Sequence, residues 1–173
     1  MNLDTLVKRG EVPWCPSPDA TDCAAWLVVD HPRAGTFRIG SDLVLFTVVS
    51  DNDGDLSVWA YAPVQGDAEH LFADARFGTG PELGEFISAH FADQMAVFAV
   101  ASDLLVAHWG EYPVPAGADG LATAAAAFVS SLIASAVPPI RCLLSSTSTA
   151  APPRTFFQQE RYVNTVTTSP SRV

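Results

Sequence analysis

The sequence predicts an α+β domain: an antiparallel meander sheet of about five strands, two or three helices packed on it, and a disordered C-terminal tail. Three observations lead there. Apolar runs of strand length recur between short turn-forming clusters from Ala24 to Val64. The period then becomes helical, with Leu83, Phe86, Ile87, His90 and Phe91 recurring at the spacing of one helix face. From Ser145 the chain turns Ser/Thr/Pro-rich, in SSTSTAAPPRT and VNTVTTSPSRV, and buries too little to offset its ordering entropy.

The strands centre on Ser41 to Val64, SDLVLFTVVSDNDGDLSVWAYAPV. Leu43 to Val49 is apolar on both faces, as a strand covered on both sides must be. Leu56 to Val64 alternates a smaller apolar face with one carrying Trp59 and Tyr61. Asp51-Asn52-Asp53-Gly54-Asp55 between them is turn chemistry, with Asp53-Gly54 as the pivot. Its alternate carboxylates lack the loop length and the terminal bidentate Glu of a calcium loop, so it reads as a turn and no metal site is expected.

The remaining elements follow in chain order. Met1 to Gly10 holds at most a helical turn, and Pro13, Pro16 and Pro18 then impose an extended, irregular path on which Trp14 packs back onto the body. Ala24 to Asp30 is a strand, and Thr36 to Ile39 pairs back after His31-Pro32-Arg33-Ala34-Gly35. Asp67 caps a helix over Ala68 to Arg76. Pro81 opens a second helix, with Thr79 and Glu82 at capping-box spacing. Met95 to Ala101 and Leu104 to Tyr112 form a strand pair around Ser102-Asp103, or one long bent strand. Asp119 caps a last helix with a Leu121, Ala125, Phe128, Leu132 and Ala136 stripe, which Pro138-Pro139 ends. The chain thus divides into an irregular segment (1–23), one α+β domain (24–137) and a basic tail (138–173).

Charge narrows the function classes. The formal net charge is −10, and it is unevenly spread: residues 1–137 carry −13 and residues 138–173 carry +3. No Lys or Arg lies between Arg76 and Arg141. Phosphate contacts need clustered cations, so nucleic acid is not an expected partner. Met1 to Gly10 has charge but no apolar core of a signal peptide, and the Ala-rich run Leu121 to Val137 is too short and too interrupted by Ser and Thr for a membrane span. Three cysteines, Cys15, Cys23 and Cys142, have neither disulfide-scaffold nor zinc spacing, and reduced thiols in a cytoplasmic protein are expected.

No catalytic motif is found. Gly78-Thr79-Gly80 with Gly84 lacks the spacing and the preceding strand of a phosphate loop. None of His31, His70, His90 and His108 has ligand spacing; His31 falls in a turn and His90 on an apolar helix face. No catalytic residue and no cofactor are assigned. Trp59, Tyr61, Trp109 and Tyr112 are strand residues of types enriched at interfaces, whose default use is to fill the second face of a sheet. With His108 beside Trp109, and Phe156 and Phe157 in the tail, they are the candidate binding residues.

SDLVLFTVVSDNDGDLSVWAYAPV, ELGEFISAHF, MAVFAVASDLLVAHWGEYPV and GADGLATAAAAFVSSLIASAV together give the order meander, helix, two strands, helix. That order resembles the type III secretion chaperone-like fold, in its bacterial YbjN-like branch, over the middle two thirds of the chain. It departs at the proline-rich N-terminus and at the extra helix from Asp67 to Arg76. VFAVASDLLVAHWGE is similar to the strand pair of the roadblock fold, without that fold's leading helix. Either resemblance implies a protein-binding module, often dimeric, and neither supplies catalytic residues. The expected function is therefore non-enzymatic protein binding, as chaperone, adaptor or regulatory subunit, with a protein partner or a second copy. The alternatives are a small enzyme or ligand-binding protein with its site near Trp59, His108 and Trp109, and a structural subunit whose tail docks on a neighbour.

Overall fold

The structure, a computed structural model, describes residues 3–52, 56–64 and 80–135. A four-residue helix, α1 (Leu3–Leu6), leads into an irregular proline-rich segment. Four strands follow: β1 (Ala20–Val28), β2 (Pro32–Ile39), β3 (Asp42–Asn52) and β4 (Leu56–Pro63). Helix α2 (Gly80–Phe91) precedes β5 (Met95–Ser102) and β6 (Leu105–Pro113), and α3 (Gly120–Ala134) closes the order. The strands form one antiparallel sheet in the order β1-β2-β3-β4-β5-β6, so every strand pairs with its sequence neighbour. The expected turn pivot Asp53-Gly54, the helix Ala68 to Arg76, Thr79 of the capping box, and the tail with Phe156 and Phe157 lie outside the described residues.

The expected meander is present, with six strands among the described residues rather than about five. The chain from Met95 to Pro113 is a hairpin and not one bent strand, because Asp103 and Leu104 both take left-handed backbone, at φ 50° and 60°. Two consecutive left-handed residues make the tight turn whose twist matches a hairpin, and Ser102 pairs with Leu105 across it.

Both faces of the sheet are covered, as the two-sided apolarity of β3 requires. On one face Leu45, Ala60, Ala62, Phe98 and Val100 meet Leu83, Ile87 and Phe91 of α2 and Leu121, Ala124, Ala125 and Phe128 of α3. The alanines keep this face shallow enough for two helices. Gly110 on β6 makes room for the Phe128 ring, which a Cβ would approach to 3.2 Å. Asp119 precedes α3, but its side chain makes no capping hydrogen bond. The entry is shaped instead by Gly120, whose missing Cβ admits the Pro115 carbonyl oxygen to a position 1.9 Å from where that carbon would be. Among the described residues no helix is long and apolar enough to cross a membrane.

The opposite face carries Phe37, Val44, Phe46, Val48, Trp59, Tyr61, Val97, Ala99, Ala101 and Val106. Among the described residues no helix of length covers it. Residues 3–19 do, through Leu6 and Val7, both fully buried, and through Trp14. The Tyr61 hydroxyl, inside this core, donates to the Pro13 carbonyl at 2.8 Å. The path the prolines impose is irregular, a run of turns rather than the extended segment expected, and the Pro13 carbonyl on it serves the core beneath.

Candidate functional site

Among the described residues two places stand out as candidate sites. The first is a polar cluster under the N-terminal cover, built by a bulge. In β3, Val44, Phe46 and Val48 point to the covered face. Strict alternation would send Asp51 to the helix face. Val49 is an extra residue, with Val48 opposite Trp59 and Ser50 opposite Val58, so the alternation slips by one. Asp51 then shares the covered face with its partner Ser57.

There Asp51 forms an ion pair with Arg33 of β2, the two side chains being 5% and 7% exposed. Ser57 accepts a 2.7 Å hydrogen bond from Trp59 Nε1. His31, at the mouth of β2, stacks on Trp14 of the cover with ring centroids 5.2 Å apart, and its ring lies 6.0 Å from that of Trp59. Its Nε2 is buried and has no hydrogen-bond partner among the described residues. Burial, and then the Arg33 charge, lower the His31 pKa against the opposing pull of Asp51 and Asp30. A neutral ring is the form that stacks here without bringing a second cation to Arg33.

Apart from His31, the groups of the cluster largely engage one another. Arg33 and Asp51 neutralise each other, and the Ser57 hydroxyl oxygen is occupied by an indole N–H. Among the described residues no group of three or more His, Cys, Asp or Glu side chains is placed to hold a metal. What the cluster does is fix the turn end of the β3–β4 ladder to β2 and dock the cover through Trp14.

The second place is the β6 edge, and it gathers three of the sequence-predicted residues: His108, Trp109 and Tyr112. Trp59 and Tyr61 do not reach the surface, being fully buried in the second core. Trp59, Ala99 and Trp109 lie in a row across β4, β5 and β6, so Trp109 extends that core to the edge. His108 and Tyr112 take the helix face, where Tyr112 meets the Phe128 ring edge-on at 5.7 Å. The structure therefore brings Trp59 and Trp109 to one face and sets His108 on the other. Burial, and then the Arg9 charge from the cover, lower the His108 pKa.

The backbone of this edge matters most. Val106 N–H donates to the Glu11 carbonyl at 2.9 Å, and Gly10 N–H donates to the Val106 carbonyl at 2.9 Å. Val106 therefore turns both backbone groups away from β5. Its partner Ala101 must turn toward β4, and so must Ala99 and Val97, since orientation alternates along an antiparallel strand. Trp109 and Glu111, opposite Ala99 and Val97, then present N–H and C=O outward. No strand lies beyond them among the described residues.

The other edge differs. The β1–β2 pairing has register shifts at three points, and Asp22 sits at φ 51°. An edge so broken is a poor template for another strand.

Sequence reasoning missed His31, Arg33, Asp51 and Ser57 as a set. The readable signal was the acidic residue just inside a strand end and an Arg in an apolar stretch, but the bulge that joins them leaves no mark in composition. Comparisons of the chain with protein-family models, with curated proteins and with solved structures each find no match.

Proposed function

We propose that the chain is a non-enzymatic protein-binding module, acting in the cytoplasm as a chaperone, adaptor or regulatory subunit, which takes an extended segment of a partner protein along the β6 edge. One observation carries the reading: Gly10 and Glu11 already bond to the outward N–H and C=O of Val106, so this edge takes main-chain partners, and Trp109 and Glu111 continue the outward row. Main-chain hydrogen bonds to an added strand supply affinity, and the flanking side chains supply selectivity. Here those are Trp109 and the exposed Glu111 on one face, His108 and Tyr112 on the other. The net −13 of residues 1–137 favours a basic segment and disfavours nucleic acid. The architectural resemblance to the type III secretion chaperone-like fold supports the same class of role.

A proline at position 111 tests this, since it removes an outward N–H without removing a ladder bond to β5. Purified Glu111→Pro and Glu111→Gln proteins are compared with the parent by light scattering and by capture of a library of extended basic peptides. Capture by the parent and Glu111→Gln, lost in Glu111→Pro with the melting curve kept, supports the reading. Equal capture by all three refutes use of this edge. A parent dimer that Glu111→Pro dissociates makes the occupant a second copy of the chain.

A further inference from the structure

Cys15 and Cys23 are eight residues apart in sequence, and the fold brings their sulfurs to 3.5 Å. Cys15 belongs to the N-terminal cover, where its N–H donates to the Val12 carbonyl at 3.0 Å and the neighbouring Pro16 carbonyl accepts from Lys8 N–H at 2.7 Å. Cys23 belongs to edge strand β1, but not to its ladder. Thr21 pairs with Arg38 and Ala24 with Thr36, so Asp22 and Cys23 together stand opposite one residue, with Asp22 left-handed. That bulge turns Cys23 toward the cover. Cys23 is exposed and Cys15 half-exposed, so a small molecule can reach the pair.

We propose that Cys15 and Cys23 form a reversible thiol–disulfide clasp, a site of modification by low-molecular-weight disulfides that fastens the N-terminal cover to β1. The pair is reduced in the structure, as the reducing cytoplasm would keep it. The Cys15 thiolate attacks one sulfur of a disulfide RSSR, forming a mixed disulfide and releasing RS⁻. The Cys23 thiolate then attacks the Cys15 sulfur and expels the second RS⁻. The two protein thiols lose two protons and two electrons; RSSR gains both and leaves as two RSH. Closing a 3.5 Å contact to a bond of about 2.05 Å needs a shift well within the reach of two side chains at a bulge.

The roles are not interchangeable. Crowding around its sulfur, then the hydrogen bond and charge of Cys15, then the charge of Asp22, push the Cys23 thiol up to about 12. Cys23 donates its proton to Cys15 Sγ in the resting pair, which leaves the accepting Cys15 sulfur as the entry point. Capping Cys15 removes both of its contributions, leaving Cys23 easier to ionise as the resolving group.

The clasp is independent of the partner reading, because its readout is covalent. The full chain, and a Cys142→Ser variant that removes the third cysteine, are incubated with oxidised glutathione and mapped by mass spectrometry without reduction. The expected product is a peptide linked Cys15–Cys23, with a higher melting temperature and slower amide exchange at Gly10 and Val106, all reversed by dithiothreitol. Cys23→Ser should instead accumulate glutathione on Cys15 as a stable mixed disulfide. Separate glutathione adducts on both cysteines, or linkage that appears only after denaturation, would overturn the proposal.

Discussion

Arg33 reaches Asp51 across the β2–β3 pairing because Val49 is inserted in β3 and turns the carboxylate to the covered face. The pair is nearly sealed from solvent, so removing either charge leaves the other buried. Arg33→Ala or Asp51→Ala is expected to destabilise by about 3–5 kcal/mol, whereas replacing both with apolar residues of similar volume should cost far less. Urea unfolding of the two single variants and the double variant measures the difference. Equal losses in all three would show that packing, and not the charge pair, is what each variant removes.

The folded chain should weaken on mild acidification. His31, His90 and His108 all have pKa values lowered chiefly by burial, so the fold favours their neutral forms. Below the unfolded value of about 6.5 the unfolded chain binds protons that the folded chain refuses, and stability falls as pH falls toward the folded values. Above about 6.5 the contribution is complete and flat. Thermal melts at about pH 7.5 and about pH 5.5 should show the loss, and His31→Gln should reduce its slope. The same slope in that variant would exclude His31 as a contributor.

Phe91 is fully buried between α2 and the sheet. Its truncation in Phe91→Ala is expected to cost about 3–5 kcal/mol, by lost burial and the cavity left behind. An unchanged denaturation midpoint would remove the residue from the core.

Gly35 should resist even one added carbon. A Cβ there would stand 2.0 Å from the Ala24 carbonyl oxygen and 2.9 Å from both Ala25 Cα and the Phe46 ring. Two of these contacts are backbone, so β1 must move. Gly35→Ala is expected to destabilise by about 1–3 kcal/mol and to raise hydrogen exchange along β1. Exchange at the parent's rate would mean that the close approach is not maintained in solution.

Leu104 gives the opposite sign. At φ 60° in the β5–β6 turn, a leucine carries roughly 1–2 kcal/mol of steric cost, of which glycine would return part after its own entropy of ~0.5–1 kcal/mol. Leu104→Gly should therefore stabilise by up to about 1 kcal/mol, read as a higher denaturation midpoint. A lower midpoint would show that the Leu104 side chain contributes more than its backbone costs.

Much of the architecture was readable because alternation and helical period survive in the chain. β3 between Leu43 and Val49, the Leu83–Ile87–Phe91 face, and Trp14 folding back all follow from side-chain size and spacing. What escaped reading shares one cause: backbone irregularity that composition does not announce. Leucine is not a left-handed residue, so the Asp103-Leu104 turn was ambiguous. The Val49 bulge re-aims Asp51, and the bulge at Asp22 and Cys23 joins two cysteines whose spacing means nothing by itself. His31 was placed in a turn, correctly at the level of sequence, but the ring that stacks on it comes from the cover. Of the candidate binding residues, those on β6 reach an edge, while Trp59 and Tyr61 fill the core.

The neighbour-to-neighbour order of the strands also bears on how the chain folds. Each hairpin closes a short loop, and such local pairings form quickly. The cover makes the longest-range contact: Gly10 and Glu11 bond to Val106, which belongs to the last described strand of the sheet. Those two bonds therefore join the earliest described part of the chain to the last described strand. Until the cover docks, Trp59, Tyr61 and Phe46 lie bare on one face of the sheet, a surface of the kind that favours aggregation.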